Sequence, residues 1–302
     1  MGLTDDVRAA CAQVAADAHY VRIDQGALAR YDAGAPDGRV PEPALDPDRH
    51  YLDGAPEDVA LFTLALDTIN FGSGWFPTLR KRRDPHTGRE VSGTITIAWN
   101  LADHFRVQGP WTTADLREMS TTRIAEILGQ PTDHELMALY AQALRDLGRF
   151  LGRRSVLDVV ARSGGSAERF AEMLATGMAF FDDRGFYKRA QIAPSDLALA
   201  GVARFGDLDR LTIFADNLIP HVLRCDDILI YHPELAAHID AGRQLRPRRA
   251  EREIRACALH ACEELSRRLG VPPRVLDIWL WNRGQSPEIK ARPRHRCRTV
   301  YY

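Results

Sequence analysis

Apolar residues recur at spacings of three and four along most of the chain, and this periodicity points to a mainly α fold. Leu3, Val7, Cys11 and Val14 follow it behind Thr4, Asp5 and Asp6, which place negative charge in a helical first turn. Pro56 opens a second helix that runs to about Phe71 and stops at Gly72-Ser73-Gly74. The same pattern predicts helices at 113–128, 133–151, 155–162, 166–176 behind a Ser166 cap, 194–200, 207–224, 233–240 and 250–269. Gly270 and the pair Pro272-Pro273 close the last of these. One stretch competes. In 89–99, Val91, Ile95 and Ile97 alternate with Thr94 and Thr96, which predicts a strand, with DPHTG upstream as its hairpin turn. Residues 31–56 carry five prolines and three glycines and read as an irregular connector, whereas 284–302 lack periodicity and read as a tail extended over the body.

The chain has 302 residues, 45% hydrophobic and 27% charged, with no internal repeat and no obvious linker, so one globular helical domain over 1–302 with at most a small β-hairpin is expected. No apolar run approaches the roughly 18 residues of a membrane span. The N-terminus lacks a basic start and an apolar stretch, and Asp6 stands where a myristoylation signal needs Ser or Thr, so a soluble cytoplasmic protein with no membrane partner is expected. Five scattered cysteines without a Cys-x-x-Cys pair, and ten histidines outside ligand spacing, give no disulfide frame and no metal site; no cofactor is expected. A net charge of −1 argues against a stable nucleic-acid complex. The charge is unevenly spread, with 13 acids and 5 bases in residues 1–67 against 15 bases and 6 acids in 243–302. Either a local anion site near the C-terminal part or two solvated faces of opposite sign explains it.

No phosphate-loop, dinucleotide, nucleophile-elbow or zinc-protease motif occurs. The informative polar residues are carboxylates in apolar runs. Asp277 lies among Val275, Leu276, Ile278, Trp279, Leu280 and Trp281, where it is either a desolvated carboxylate with work to do or an ordinary solvated helix residue. Asp216 sits in LTIFADNLIPHVL, read as a buried helix. Asp67 and Asn70 share a helix face at i and i+3. Lys188 is one of only three lysines in a chain that uses arginine for 37 of its 40 bases, which suggests a point-charge role. The run Arg80 to Arg83 reads as a solvated loop.

The segments DTINFGSGW (67–75), FYKRAQI (186–192), LTIFADN (211–217), EREIRAC (251–257), LDIWLWN (276–282) and the closing HRCRTVYY resemble, in consistent order, the queuosine salvage protein family. The resemblance covers about residue 50 to the end. It implies an all-helical fold similar to DNA glycosylases and hydrolysis of queuosine 5'-phosphate with release of queuine. By motif it makes Asp277 the nucleophile or transition-state stabiliser. Phe214, Asp216 and His50 would line the base site, with Ile278 and Asn282 at further base contacts. Some relatives have an aromatic residue where Ile278 stands and an acid where Asn282 stands, which implies an altered fine preference for the base.

The chemistry the resemblance implies fits these residue types. Breaking an N-glycosidic bond builds positive charge on the ribose, which the Asp277 carboxylate would stabilise. Asp216 would accept from the guanine-like edge of the base while Phe214 stacks on the ring. Asp67, Asn70 and Asn282 would suit queuine's cationic aminocyclopentenediol arm, and Lys188, with an arginine of the basic C-terminal part, the 5'-phosphate. The alternatives are a glycosylase acting on a base within DNA or RNA and a non-catalytic helical nucleotide-binding protein.

Overall fold

In the computed structural model, which describes residues 2–31 and 43–302, fifteen α-helices enclose two adjoining apolar cores. The first core is built on α3 (Pro56–Thr68), α4 (Gly93–Gln108), α7 (Glu135–Leu151), α9 (Ala167–Gly177) and α10 (Lys188–Leu199), with α5 (Thr113–Arg117), α6 (Thr121–Ile127) and α8 (Val156–Arg162) around them. Helix α7 shows the sequence logic directly. Its stripe of Leu136, Tyr140, Leu144, Leu147 and Leu151 is wholly buried, and each leucine contributes about 1.5–3 kcal/mol by leaving water.

The second core runs along α13 (Arg249–Leu269), against which α1 (Leu3–Ala16), α11 (Ile219–Cys225) and α14 (Pro273–Arg283) pack. Gly270, at φ +68°, terminates α13 in the left-handed conformation that glycine adopts without strain. Strands β1 (Val21–Ile23) and β2 (Leu229–Tyr231) form a two-stranded antiparallel sheet in the register Val21 to Tyr231 and Ile23 to Leu229. Helices α2 (Gln25–Arg30), α12 (Pro233–Asp240) and α15 (Pro287–Ala291) complete the described elements. No described helix is long and apolar enough to cross a membrane.

Four expectations need correction. Residues 93–99 are not strand but the start of α4: Ser92 caps it by accepting from the Ile95 amide at 3.3 Å, and the helical series Ile97, Leu101 and Phe105 outweighs the local β-branched alternation. The DPHTG turn does form, closed by the Gly88 amide on the Asp84 carbonyl at 2.8 Å and by an isolated bridge between Arg83 and Glu90. The expected helix 113–128 breaks into α5 and α6, because Ser120 supplies a new cap.

The expected helix 207–224 reduces to a 3₁₀ turn and α11. Residues 211–217 are extended, with Phe214 in the first core and Ile213 and Ala215 in the second. A segment buried on both sides carries no amphipathic period, so its apolar run was misread as helix. The tail contains α15 and is then inserted instead of lying on the surface: His295, Cys297, Thr299 and Tyr302 are buried. Gly74 makes this possible, since a Cβ there would lie 2.5 Å from the Cys297 carbonyl oxygen. The connector is irregular over 43–55, and its residues 32–42 lie outside the described residues.

Candidate active site

Three buried side chains fix the extended segment that builds one wall of the site. The Gln191 carboxamide on α10 accepts from the Thr212 amide at 2.9 Å and donates to the Phe186 carbonyl at 2.8 Å. Arg255 on α13 donates through Nε to the Ala215 carbonyl at 2.9 Å, and Asn217 donates to the His295 carbonyl at 3.1 Å. Arg255 is itself held by a bidentate pair with Asp183, at 3.1 and 2.5 Å, wholly within the core. A backbone without helical hydrogen bonds is thereby satisfied by side chains.

Beside this segment lies a cavity of about 380 Å³ lined by all nine residues singled out in the sequence: His50, Asp67, Asn70, Lys188, Phe214, Asp216, Asp277, Ile278 and Asn282. They come from the connector, the end of α3, the start of α10, the extended segment and α14. Asp277 is 6% exposed and projects inward, not to solvent, and its Oδ1 accepts from the Phe214 amide at 2.8 Å. Burial pushes its pKa up to about 7 and the neighbouring Asp216 adds to this, while the Phe214 amide and Lys188 pull the other way.

Lys188, 5% exposed, starts α10 directly after Tyr187, whose φ of +49° is rare for a bulky residue and turns the chain sharply at this point. Its Nζ lies 3.4 Å from the Asn70 carbonyl oxygen. Burial lowers the ammonium's pKa, and Asp216, Asp277 and Asp67 hold the charge in place. One lysine is therefore drawn by three carboxyl groups at once.

Asp67, 1% exposed, lies beside the Asp196 carboxyl, and its Oδ2 has no hydrogen-bond partner among the described residues. Burial and that second carboxyl raise Asp67 well above the ordinary range, and burial pushes Asp196 up to about 6. Asp196 does not stand out in the sequence. Lys188, Ile192, Asp196 and Leu199 form one face of α10 and all line the cavity. That stripe was hidden because the helix was expected to begin at 194.

Asp216 differs from its expected place in a helix. It precedes α11 and its Oδ1 accepts from the Leu218 amide at 2.6 Å and the Ile219 amide at 3.4 Å, so one oxygen caps the helix. His50 does face the cavity. Its Nδ1 lies 2.8 Å from the Asp46 carbonyl oxygen, and burial keeps its pKa below the usual histidine value. Asn282 is exposed at the rim and Ile278 is half-buried, with Trp279 and Trp281 beside them. Among the described residues no group of three or more His, Cys, Asp or Glu side chains is arranged to hold a metal ion.

A family model described as "Queuosine salvage protein" matches residues 50–302. A protein of Sphaerobacter thermophilus named queuosine 5'-phosphate N-glycosylase/hydrolase is 32% identical, over 96% of this chain and 95% of its own length. Relatives of the same name from Bos taurus and Mus musculus are 30% and 28% identical, each over 82% of this chain and 83% of their own. The match includes all nine of the cavity residues named above, from His50 to Asn282, and the chain belongs to the queuosine salvage protein family.

Proposed function

We propose that the chain hydrolyses the N-glycosidic bond of queuosine 5'-phosphate and releases queuine, with Asp277 as the carboxylate beside the anomeric carbon. The observation that carries this reading is a buried carboxylate on the cavity wall, fixed through one oxygen by the Phe214 amide and leaving the other for a ligand. As C1' parts from the base nitrogen, the electron pair stays with the base and the ribose becomes cationic. A preorganised negative charge in a water-poor site stabilises that state far better than solvent does. Water then supplies hydroxyl to C1', and its proton ends on the base. Queuine, a 7-deazaguanine, has no N7 to protonate, so the sugar-side charge carries more of the work.

Phe214 and Asp216 would hold the base. With Oδ1 committed to the α11 cap, Asp216 offers Oδ2 to the donor edge. Asp216→Asn keeps the cap and turns Oδ2 into a donor facing donors. We expect KM to rise at least about tenfold, the equivalent of one charge-assisted hydrogen bond, with little change in Tm. Asp216→Ala should also lose about 1 kcal/mol of stability through the cap. Equal KM for wild type and the Asn variant would remove Asp216 from the base site.

Asp67 with Asp196, Asn70 and Asn282 are assigned to the cationic arm, whose charge would favour the ionised form of the two carboxyls. Lys188 is assigned to the 5'-phosphate and, from its neighbours, to keeping Asp277 ionised. Lys188→Met should therefore slow both queuosine and its 5'-phosphate, the phosphate by about tenfold more, and shift the acid limb of kcat/KM to higher pH, because a nearby cation that lowers the Asp277 pKa is gone. An unshifted limb and equal losses on both substrates would show that Lys188 does neither. Incubation with queuosine, queuosine 5'-phosphate and queuosine-containing tRNA, followed by assay of free queuine, tests the function itself. Release from none of the three refutes it.

A further inference from the structure

A second cavity of about 480 Å³ adjoins the first and shares Asn70, Phe76, Thr94, Lys188, Asp216 and Trp281 with it. Its lining differs sharply in charge: among the described residues, six cationic side chains (Lys81, Lys188, Lys290, Arg292, Arg294, Arg296) face only Glu90 and Asp216. Glu90 is also drawn to Arg83 at 3.8 Å. Among the described residues the side chains of Lys81, Lys290, Arg294 and Arg296 make no ion pair or hydrogen bond.

Crowding is evident in the charges themselves. Burial lowers the pKa of Arg294 against the pull of Asp216, with Arg296 adding repulsion; burial and Arg294 likewise lower Lys290. Two buried polar atoms on the lining, Ser73 Oγ and His221 Nδ1, have no hydrogen-bond partner among the described residues. A concentration of unpaired cations around a concavity stores repulsion that an anion relieves. Of the two readings of the basic C-terminal segment, this lining favours the anion site for these particular residues.

We infer that this annex receives the 5' side of the nucleotide, with Arg294 as its principal phosphate contact, and that its charge and room extend past one phosphate. It would then admit substrates carrying a second phosphate on that side, either as a 5'-diphosphate or as a phosphodiester to a preceding nucleotide. Continuity through Lys188 and Trp281 places it next to the ribose end of a ligand whose base rests on Phe214. The inference rests on the glycosylase reading for its substrate and on the cavity alone for its anion chemistry.

The test measures kcat/KM for queuosine, its 5'-monophosphate, its 5'-diphosphate and a dinucleotide with queuosine at the 3' position, using wild type, Arg294→Met and Lys290→Met/Arg294→Met. The wild type should use at least one two-phosphate substrate within about tenfold of the monophosphate. The ratio of monophosphate to nucleoside efficiency should fall at least about tenfold in Arg294→Met, as expected for one charged hydrogen bond, and further in the double variant. Preference for the diphosphate or for the dinucleotide identifies which bond the annex accommodates. Rejection of both by more than about a hundredfold, or an unchanged ratio in the variants, overturns the inference. Thermal melting with inorganic pyrophosphate separates the two levels. A rise in Tm that Arg294→Met abolishes supports the annex even if no substrate is cleaved, in which case the proposed function is what fails.

Discussion

Asp277→Asn should reduce turnover of queuosine 5'-phosphate at least about a hundredfold while KM changes little, the pattern for loss of one preorganised charge felt only in the transition state. The amide oxygen can still accept from the Phe214 amide, so the geometry of the wall survives. Stability provides an independent check. A buried carboxyl raised to about 7 holds its proton in the folded state at pH values where the unfolded chain, near the ordinary value of 3.8, has released it. Between about pH 4 and 7 the native state thus binds more protons, and stability falls as pH rises through that window, then levels off. The Asn variant lacks this decline, so it should match the wild type in acid and melt at higher temperature at pH 7 and above. In the wild type, kcat/KM for queuosine, which has no phosphate to titrate, should rise with pH to a plateau above about 7 as Asp277 ionises. A variant retaining more than about a tenth of wild-type turnover would sink the assignment and make Asp216 the next carboxylate to test.

Asp183→Ala should be the most destabilising of the variants considered, by about 3–5 kcal/mol, because it strands the Arg255 guanidinium as an uncompensated charge in the core. Arg255 is 2% exposed, sits 3.9 Å over the Phe186 ring and 4.7 Å from the Tyr302 ring, and among the described residues has only Glu251, at 3.5 Å, as a remaining acid. Activity should fall along with stability, since Arg255 carries the Ala215 carbonyl and with it the position of Phe214 and Asp216. Chemical denaturation measures the loss. A double variant, Asp183→Leu/Arg255→Met, should recover much of it by replacing the ion pair with apolar volume. An Asp183→Ala loss below about 1 kcal/mol would mean that water reaches Arg255 and that the pair is no core element.

The elements read correctly from the sequence are those whose periodicity is local and one-sided. Helix α7 has a stripe of leucines against a charged face, α13 ends at a glycine in its left-handed well, and α3 begins at Pro56. The misread elements are those whose environment comes from elsewhere. Residues 211–217 are apolar because two cores clasp them, and residues 93–99 resemble a strand only if the stripe continuing to Phe105 is ignored.

The amino-acid sequence by itself determined the helical class, the order of the motifs, and the set of carboxylates and the lysine that line the cavity, because each stands out against its immediate neighbours. It did not determine what those groups do to one another. Asp277 has apolar residues on every side in sequence, so no helical period shows whether it faces inward. Its inward position is held by the Phe214 amide, 63 residues away, and its raised pKa follows from burial and from Asp216, against the pull of that amide and of Lys188. Asp196, the pairing of Asp183 with Arg255 across 72 residues, and the basic annex around Arg294 are equally products of the tertiary structure. Local pattern reports which side of an element prefers water. Ionisation and reactivity depend on desolvation and on charges within a few ångströms, and folding brings those charges from distant parts of the chain.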